Sequence, residues 1–165
     1  MCRHGLPARS QAGSFPTQAE VTPRPMKTLL AVDGSAYTKR MLGYIAAHDE
    51  RLGAKHQYTV IHCVAPLPHR AAAFEELELV QRYYDDDAEA VLRPIREFFR
   101  MQGLEATFVH EIGSPAERIA AMAEGGGYEL LVLGSHGHGA FANLTLGSVA
   151  TKVLALCRTP VLLIR

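Results

Sequence analysis

The chain has 165 residues, seventeen basic side chains against seventeen acidic ones, and 48% hydrophobic residues. One domain is the expectation at this length, able to bury roughly two-thirds of its unfolded surface without staples. A disordered chain would hold fewer apolar residues, a general nucleic-acid binder would carry a basic excess, and a membrane-spanning helix would need about 20 mostly apolar residues in a row, which this sequence lacks. Cys2, Cys63 and Cys157 form an odd, widely spaced set with no C-x-x-C. They read as reduced thiols of a cytoplasmic protein, two of them buried.

Residues 1–25 contain Gly5, Gly13, Pro7, Pro16, Pro23 and Pro25 without apolar periodicity. They read as a disordered extension, with residues 26–165 as the folded domain. The continuous apolar segment of a secretory signal is missing from this stretch. Met26 stands directly before the first strand-like run, so the folded unit, and on this reading the native chain, is expected to start there.

From Lys27 onward, strand and helix patterns alternate. Leu29 to Val32 is a short apolar run, as in a strand buried on both faces, and it ends at Asp33-Gly34-Ser35. A helix follows with Tyr37, Met41, Tyr44, Ile45, His48 and Leu52 on one face, ended by Gly53. Tyr58 to Val64 is a second strand. The longest helical stretch then places Leu77, Val80, Tyr84, Ala88, Val91, Ile95 and Phe98 inward, with a kink or break expected at Pro94. Thr107 to Glu111 is a third strand. Ser114-Pro115-Ala116-Glu117 reads as a capping box opening a helix whose apolar side is Ala116, Ile119, Ala120 and Ala123. Leu130 to Leu133, apolar throughout, is a central strand. A last helix from about Gly147 turns Leu146, Val149, Val153 and Leu156 inward, and Val161 to Ile164 is the final strand. Strands separated by helices need crossover connections, so the expected fold is α/β, a doubly wound parallel sheet with helices on both faces. Ligands of such folds sit beyond the carboxyl ends of the strands, where the strand order reverses.

Chemistry concentrates at two strand ends. One is Asp33-Gly34-Ser35. The other is Gly134-Ser135-His136-Gly137-His138-Gly139, running on to Gly147-Ser148 at the head of the last helix. Glycines there permit positive φ and close backbone approach, and the helix start offers unpaired N–H groups and a positive dipole end. Together these suit an anion, most simply phosphate. Ser148 can add a hydroxyl, with Asn143 and Thr145 as further polar contacts. Competing structural readings are a plain capping role for Ser148, a self-bonded turn residue for Asp33 and ordinary core for Val64.

The glycines follow the pattern G-x2-G-x9-G-S through Gly134, Gly137, Gly147 and Ser148. This resembles the nucleotide-binding signature of the universal stress protein family. The opening Lys27-Thr28-Leu29-Leu30-Ala31-Val32-Asp33-Gly34-Ser35 and the closing Cys157-Arg158-Thr159-Pro160-Val161-Leu162-Leu163-Ile164 match in register, so the resemblance covers nearly all of 26–165. It implies a five-stranded parallel sheet of order 3-2-1-4-5, with the switch point between strands one and four. It also implies adenine-nucleotide binding, ATP or else ADP or AMP, with magnesium carried on the phosphates. Asp33 and the backbone around Val32 would meet the adenine and ribose end, Val64 would line the adenine pocket, and Leu133 and Gly134 would lie beside the ribose. Gly137, Gly147, Ser148 and Val149 would hold the phosphates through backbone N–H groups and the serine hydroxyl. His138 stands where family members often carry a longer basic residue and counts as a phosphate contact. The resemblance further implies a homodimer through the last strand, which leaves an apolar sheet edge.

No catalytic residue is assigned. The G-x-x-x-x-G-K-[ST] loop is absent, and no acid–base pair is placed to activate water. A nucleotide-free interaction module and a slow ATPase or adenylyl-transfer enzyme are the alternatives. His136 and His138 alone do not make a metal site, and Asp85-Asp86-Asp87 reads as a solvated helix face. His62 and His110 read as ordinary hydrogen-bonded residues.

Overall fold

In the computed structural model, which describes residues 24–48, 52–68, 77–139 and 145–165, strands and helices alternate from Lys27 to the last strand. The elements are β1 (Lys27–Val32), α1 (Ala36–Ala47), β2 (Gln57–Val64), α2 (Leu77–Met101), β3 (Ala106–Ile112), α3 (Pro115–Gly125), β4 (Leu130–Gly134), α4 (Ser148–Leu156) and β5 (Val161–Ile164). All pairings are parallel and the sheet order is β3-β2-β1-β4-β5. The expected doubly wound α/β sheet, with its switch point between β1 and β4, is therefore present. Residues 1–23, most of the expected extension, lie outside the described residues, as does Asn143. Arg24 pairs with Glu129 at 2.5 Å.

Strand alternation divides the core in two. Leu30, Val32, Val60, Val64 and Val132 face α1 and α2, where Met41, Leu42, Ile45, Leu92, Ile95 and Phe99 meet them. Leu29, Ala31, Ile61, Leu131 and Leu133 face α3 and α4, against Ala116, Ile119, Ala123, Ala150 and Val153. The second helical layer is built largely from alanine, so it lies close to the sheet.

Several local expectations are corrected. α1 ends at Ala47 and buries Thr38, Met41, Leu42 and Ile45; Tyr44 and His48 stack on each other outside, with centroids 4.0 Å apart. α2 runs unbroken through Pro94 to Met101. Tyr84, Ala88 and Ile95 are buried as expected, and Val80, Val91 and Phe98 pack against the core half-buried; Leu92 and Phe99 are buried in addition, and Leu77 is 88% exposed. Burial of Leu92 and Ile95 on either side of Pro94 holds both flanking turns to the sheet, and the proline itself faces solvent. Ser114 makes no side-chain cap bond, so the capping box does not close, although Pro115 does occupy the first turn. In α4 the buried residues are Ala150 and Val153, and Leu156 is 53% exposed. Cys63 and Cys157 are free thiols and only half-buried.

Leu131 is wholly buried in the central strand β4. Leu131→Ala should cost about 2–5 kcal/mol in urea unfolding, against less than about 0.5 kcal/mol for Leu77→Ala.

Candidate functional site

At the carboxyl ends of β1 and β4 the chains diverge toward α1 and α4, and a cleft of about 390 Å³ opens there. Part of its lining is apolar: Ala31, Leu133, Pro115, Ile119 and Ala150 contribute to it. Val32 and Asp33 enter from β1, Gly134 from β4, Gly137 and His138 from the loop, and Gly147, Ser148 and Val149 from the head of α4. Nine of the ten residues singled out in the sequence thus converge. Val64 does not. It is 2% exposed and packs in the α1–α2 core, and its carbonyl accepts from the Gly113 N–H at 3.0 Å. Alternation along β2 turns Val64 away and puts its neighbour Cys63 on the cleft side.

The turn after β1 is built around Asp33. Gly34 has φ 77°, a conformation that side-chain-bearing residues rarely adopt. Asp33 Oδ1 accepts from the Ser35 N–H at 3.0 Å and from the Thr38 hydroxyl at 2.8 Å. Oδ2 lies 3.6 Å from His138 Nδ1. Burial pushes the Asp33 carboxyl up, but the hydrogen bonds from Ser35 and Thr38 and the charge of His138 outweigh it, leaving the group below its ordinary 3.8. The turn reading of Asp33 is therefore realised through Oδ1, and the residue also lines the cleft.

The loop glycines serve space rather than unusual dihedrals. Among the described residues only Gly34, Gly103, Gly113 and Gly127 have positive φ. A Cβ on Gly134 would stand 2.7 Å from Tyr37 Cβ, and one on Gly147 would stand 3.1 Å from His136 Cα and 3.2 Å from the Ser135 carbonyl. The expected use of positive φ is thus replaced by close backbone approach. The Gly147 N–H is also spoken for, since it donates to the Ser135 carbonyl at 2.8 Å. The groups left open at this end are the N–H groups of Ser148, Val149 and Ala150, the first turn of α4. They precede its first internal bond, from the Thr151 N–H to the Gly147 carbonyl, and no side chain among the described residues caps them. The start of α1 differs, because Ser35 Oγ accepts from the Tyr37 and Thr38 N–H groups.

Four contributors escaped the sequence reading. Ser135, fully buried, donates its N–H to the Ile164 carbonyl at 2.7 Å and so ties β4 to β5 beside the cleft. Tyr37 backs Gly134, its ring 5.1 Å from His136. Thr38 holds Asp33. Cys63 lines the cleft; burial first and the Glu111 carboxylate second push its thiol up to about 11, with Arg118 opposing, so it is protonated and weakly nucleophilic at neutral pH. A polar residue one position past β4 and one six positions past β1 were the only available signals for Ser135 and Thr38. His62 bonds the Val32 carbonyl at 2.9 Å and His110 lies 3.4 Å from Asp85, as ordinary partners. No group of three or more His, Cys, Asp or Glu converges among the described residues.

The sequence profile of the Universal stress protein family matches residues 26–165. The chain belongs to that family. A Thermus aquaticus relative, the universal stress protein in the QAH/OAS sulfhydrylase 3′ region, is 35% identical over 138 residues, covering 83% of this chain and 96% of the relative. Hypothetical protein MJ0577 shares the fold with a TM-score of 0.67 at 23% identity, covering 84% of this chain and 94% of that one. An Arabidopsis thaliana family protein with AMP bound gives 0.61 at 16% identity over 85% and 91% of the two chains. Two further solved universal stress proteins are complexes, one with cAMP (0.62, 19% identity, 85% and 97% covered) and one from Archaeoglobus fulgidus with dAMP (0.60, 22% identity, 85% and 98% covered).

Gly134→Ala should destabilise the fold by about 1–3 kcal/mol, whereas Gly139→Ala, whose Cβ would enter open space, should be near neutral in the same denaturation assay. The Asp33 carboxyl, followed by carbon NMR, should titrate below 3.8 and move up in Ser35→Ala. Because its folded-state value is depressed, its stabilisation is present above pH 3.8 and lost as pH falls through the folded-state value.

Proposed function

We propose that the cleft binds an adenine nucleotide, ATP or its ADP and AMP counterparts, and that the protein acts as a dimeric, nucleotide-dependent stress-response regulator with little or no hydrolysis. The contrast between helix starts carries the reading. α1 closes its own first turn with Ser35, whereas among the described residues nothing caps the first three N–H groups of α4, which begins at a cleft with a largely apolar lining. A flat base suits the apolar lining and a phosphate suits the helix head. Solved relatives holding AMP, cAMP and dAMP support an adenylate as the occupant. In this arrangement Ser148 and Val149 N–H groups and the Ser148 hydroxyl would meet phosphate, with His138 beside them. The adenine wall is formed by Cys63 and Ile119 in place of Val64. A magnesium ion would enter on the phosphates and keep most of its water, since the described residues offer no separate cation cage.

Binding without turnover is supported by the sparse charge. No lysine or arginine is among the described residues lining the cleft, Lys152 points to solvent from α4, and the only carboxylate there has one oxygen committed to its own turn. Phosphoryl transfer depends on positioned charge that is missing from this set.

Dimerisation through β5 is supported by the unlike sheet edges. β3 is flanked by charged pairs, His110 with Asp85 and Arg118 with Glu111 at 4.0 Å, and Arg96 covers the Phe108 ring. β5 is apolar from Val161 to Ile164, and the helix before it leaves Leu154 and Leu156 exposed. An uncharged edge is the one left able to pair with a second copy.

Freshly purified protein should release ATP, ADP or AMP on acid extraction, and Gly137→Val, which pushes into Asp33 Oδ2, should abolish this. Ser148→Ala should weaken ATP about 3- to 10-fold by calorimetry, the value of one lost hydrogen bond. An empty cleft with no measurable ATP affinity would favour the nucleotide-free module, and sustained turnover near 1 per second (order of magnitude) would favour an enzyme. The Leu131 N–H donates to the Pro160 carbonyl and the Ser135 N–H to the Ile164 carbonyl, so alternation points the Leu163 N–H away from β4. Leu163→Pro should therefore give a monomer by light scattering while keeping the β4 pairing; a retained dimer would reject the β5 interface.

A further inference from the structure

The two carboxylate oxygens of Asp33 have different surroundings, and Thr38 is the reason. Its hydroxyl accepts from the Asp33 N–H at 3.1 Å and donates to Asp33 Oδ1 at 2.8 Å. Both bonds go to one residue, so the hydroxyl proton has a single direction and the carboxylate has a single rotamer. Thr38 is 3% exposed, in the first turn of α1, where no water competes for either bond. Oδ1 is saturated by Thr38 and by the Ser35 N–H at 3.0 Å. Oδ2 takes part in neither of these bonds; Asp33 lines the cleft, and His138 Nδ1 lies 3.6 Å from Oδ2. In a nucleotide, the part that lies between base and phosphate is the sugar.

We propose that Thr38 is a positioning residue of the cleft: by holding Asp33 Oδ1 it presents Oδ2 as an acceptor-only group to a sugar hydroxyl, and so sets a preference for ligands with free ribose hydroxyls. The proposal rests on the nucleotide reading of the cleft. An ionised carboxylate cannot donate, so a ligand lacking hydroxyls leaves Oδ2 partly desolvated with only His138 Nδ1, at 3.6 Å, beside it, and discrimination of this kind exceeds that of a shape fit. Without the Thr38 hydroxyl, Oδ1 and Oδ2 become interchangeable by rotation, and the carboxylate can turn to satisfy itself on the turn backbone.

The test measures the affinity of the full chain for ATP and for 2′,3′-dideoxy-ATP by calorimetry. The native protein should prefer ATP by about tenfold, the worth of a hydrogen bond to a charged group. Thr38→Val, which keeps shape and burial, should reduce that ratio to below about threefold, as should Thr38→Ala if valine packs poorly. Thr38→Ser should restore it, and Asp33→Asn should collapse it. Circular dichroism and melting confirm that each variant is folded. If Thr38→Val weakens both ligands alike and leaves the ratio intact, Thr38 is only structural and the proposal is overturned. Equal binding of the two ligands by the native protein overturns it as well, while leaving the nucleotide reading in place. No binding of either ligand to the native protein overturns the nucleotide reading itself.

Discussion

Ser135 sits with no exposed surface between the last residue of β5 and the head of α4, and both of its backbone groups are committed: the N–H to the Ile164 carbonyl and the carbonyl to the Gly147 N–H. These bonds, at 2.7 Å and 2.8 Å, bind three chain segments into one strip beyond the sheet. Such contacts require backbone to approach backbone, which a Cβ at Gly147 would obstruct at 3.1 Å. The cleft follows from this constraint. With the strip held in place, α4 must begin where it does, and its first N–H groups point at the space between β1 and β4.

The asymmetry between the two sheet faces has the same origin. Alanines of α3 and α4 let those helices lie close, and the space that remains at the carboxyl end is narrow and apolar. The larger side chains of α1 and α2 fill the opposite face completely, up to Val64 and Phe99. Among the described residues the cleft is therefore lined mainly from the α3–α4 side of the sheet. Asp33 stands at the border, where Thr38 reaches from α1 and Gly137 and His138 reach from the loop.

The sheet edges add a second division. One edge is screened by ion pairs and a guanidinium over an aromatic ring, while the other is a short apolar strand whose preceding turn is organised by Glu124. That carboxylate accepts from the Arg158 N–H at 2.5 Å and the Thr159 N–H at 3.2 Å. Burial raises the Glu124 carboxyl only slightly against these backbone bonds, which hold it below its ordinary value. β5 thereby carries both the Ile164 carbonyl that steadies Ser135 and the free edge, so any pairing at that edge adjoins the strip that shapes the cleft.

Element order, parallel pairing and the two strand ends that meet at the cleft could be read directly from the chain, because buried strands, alternating helices and the spaced glycine pattern are local signals. The four buried positions of α3 were legible for the same reason, each recurring at helical spacing. What the chain could not disclose was direction. Val64 and Cys63 are adjacent and both could line an apolar cleft, yet only the placement of β2 in the sheet decides which one faces it. The apolar face of α2 was likewise wider than its spacing marked, because contact with the sheet buries Leu92 and Phe99 beside the expected Val91 and Phe98. Spacing marked Gly147 as a phosphate donor, but its N–H had already gone to Ser135, a partner that only folding brings near. Composition and periodicity follow the chain, whereas hydrogen-bond partners and facing side chains depend on distances across it, and those are settled by packing in three dimensions.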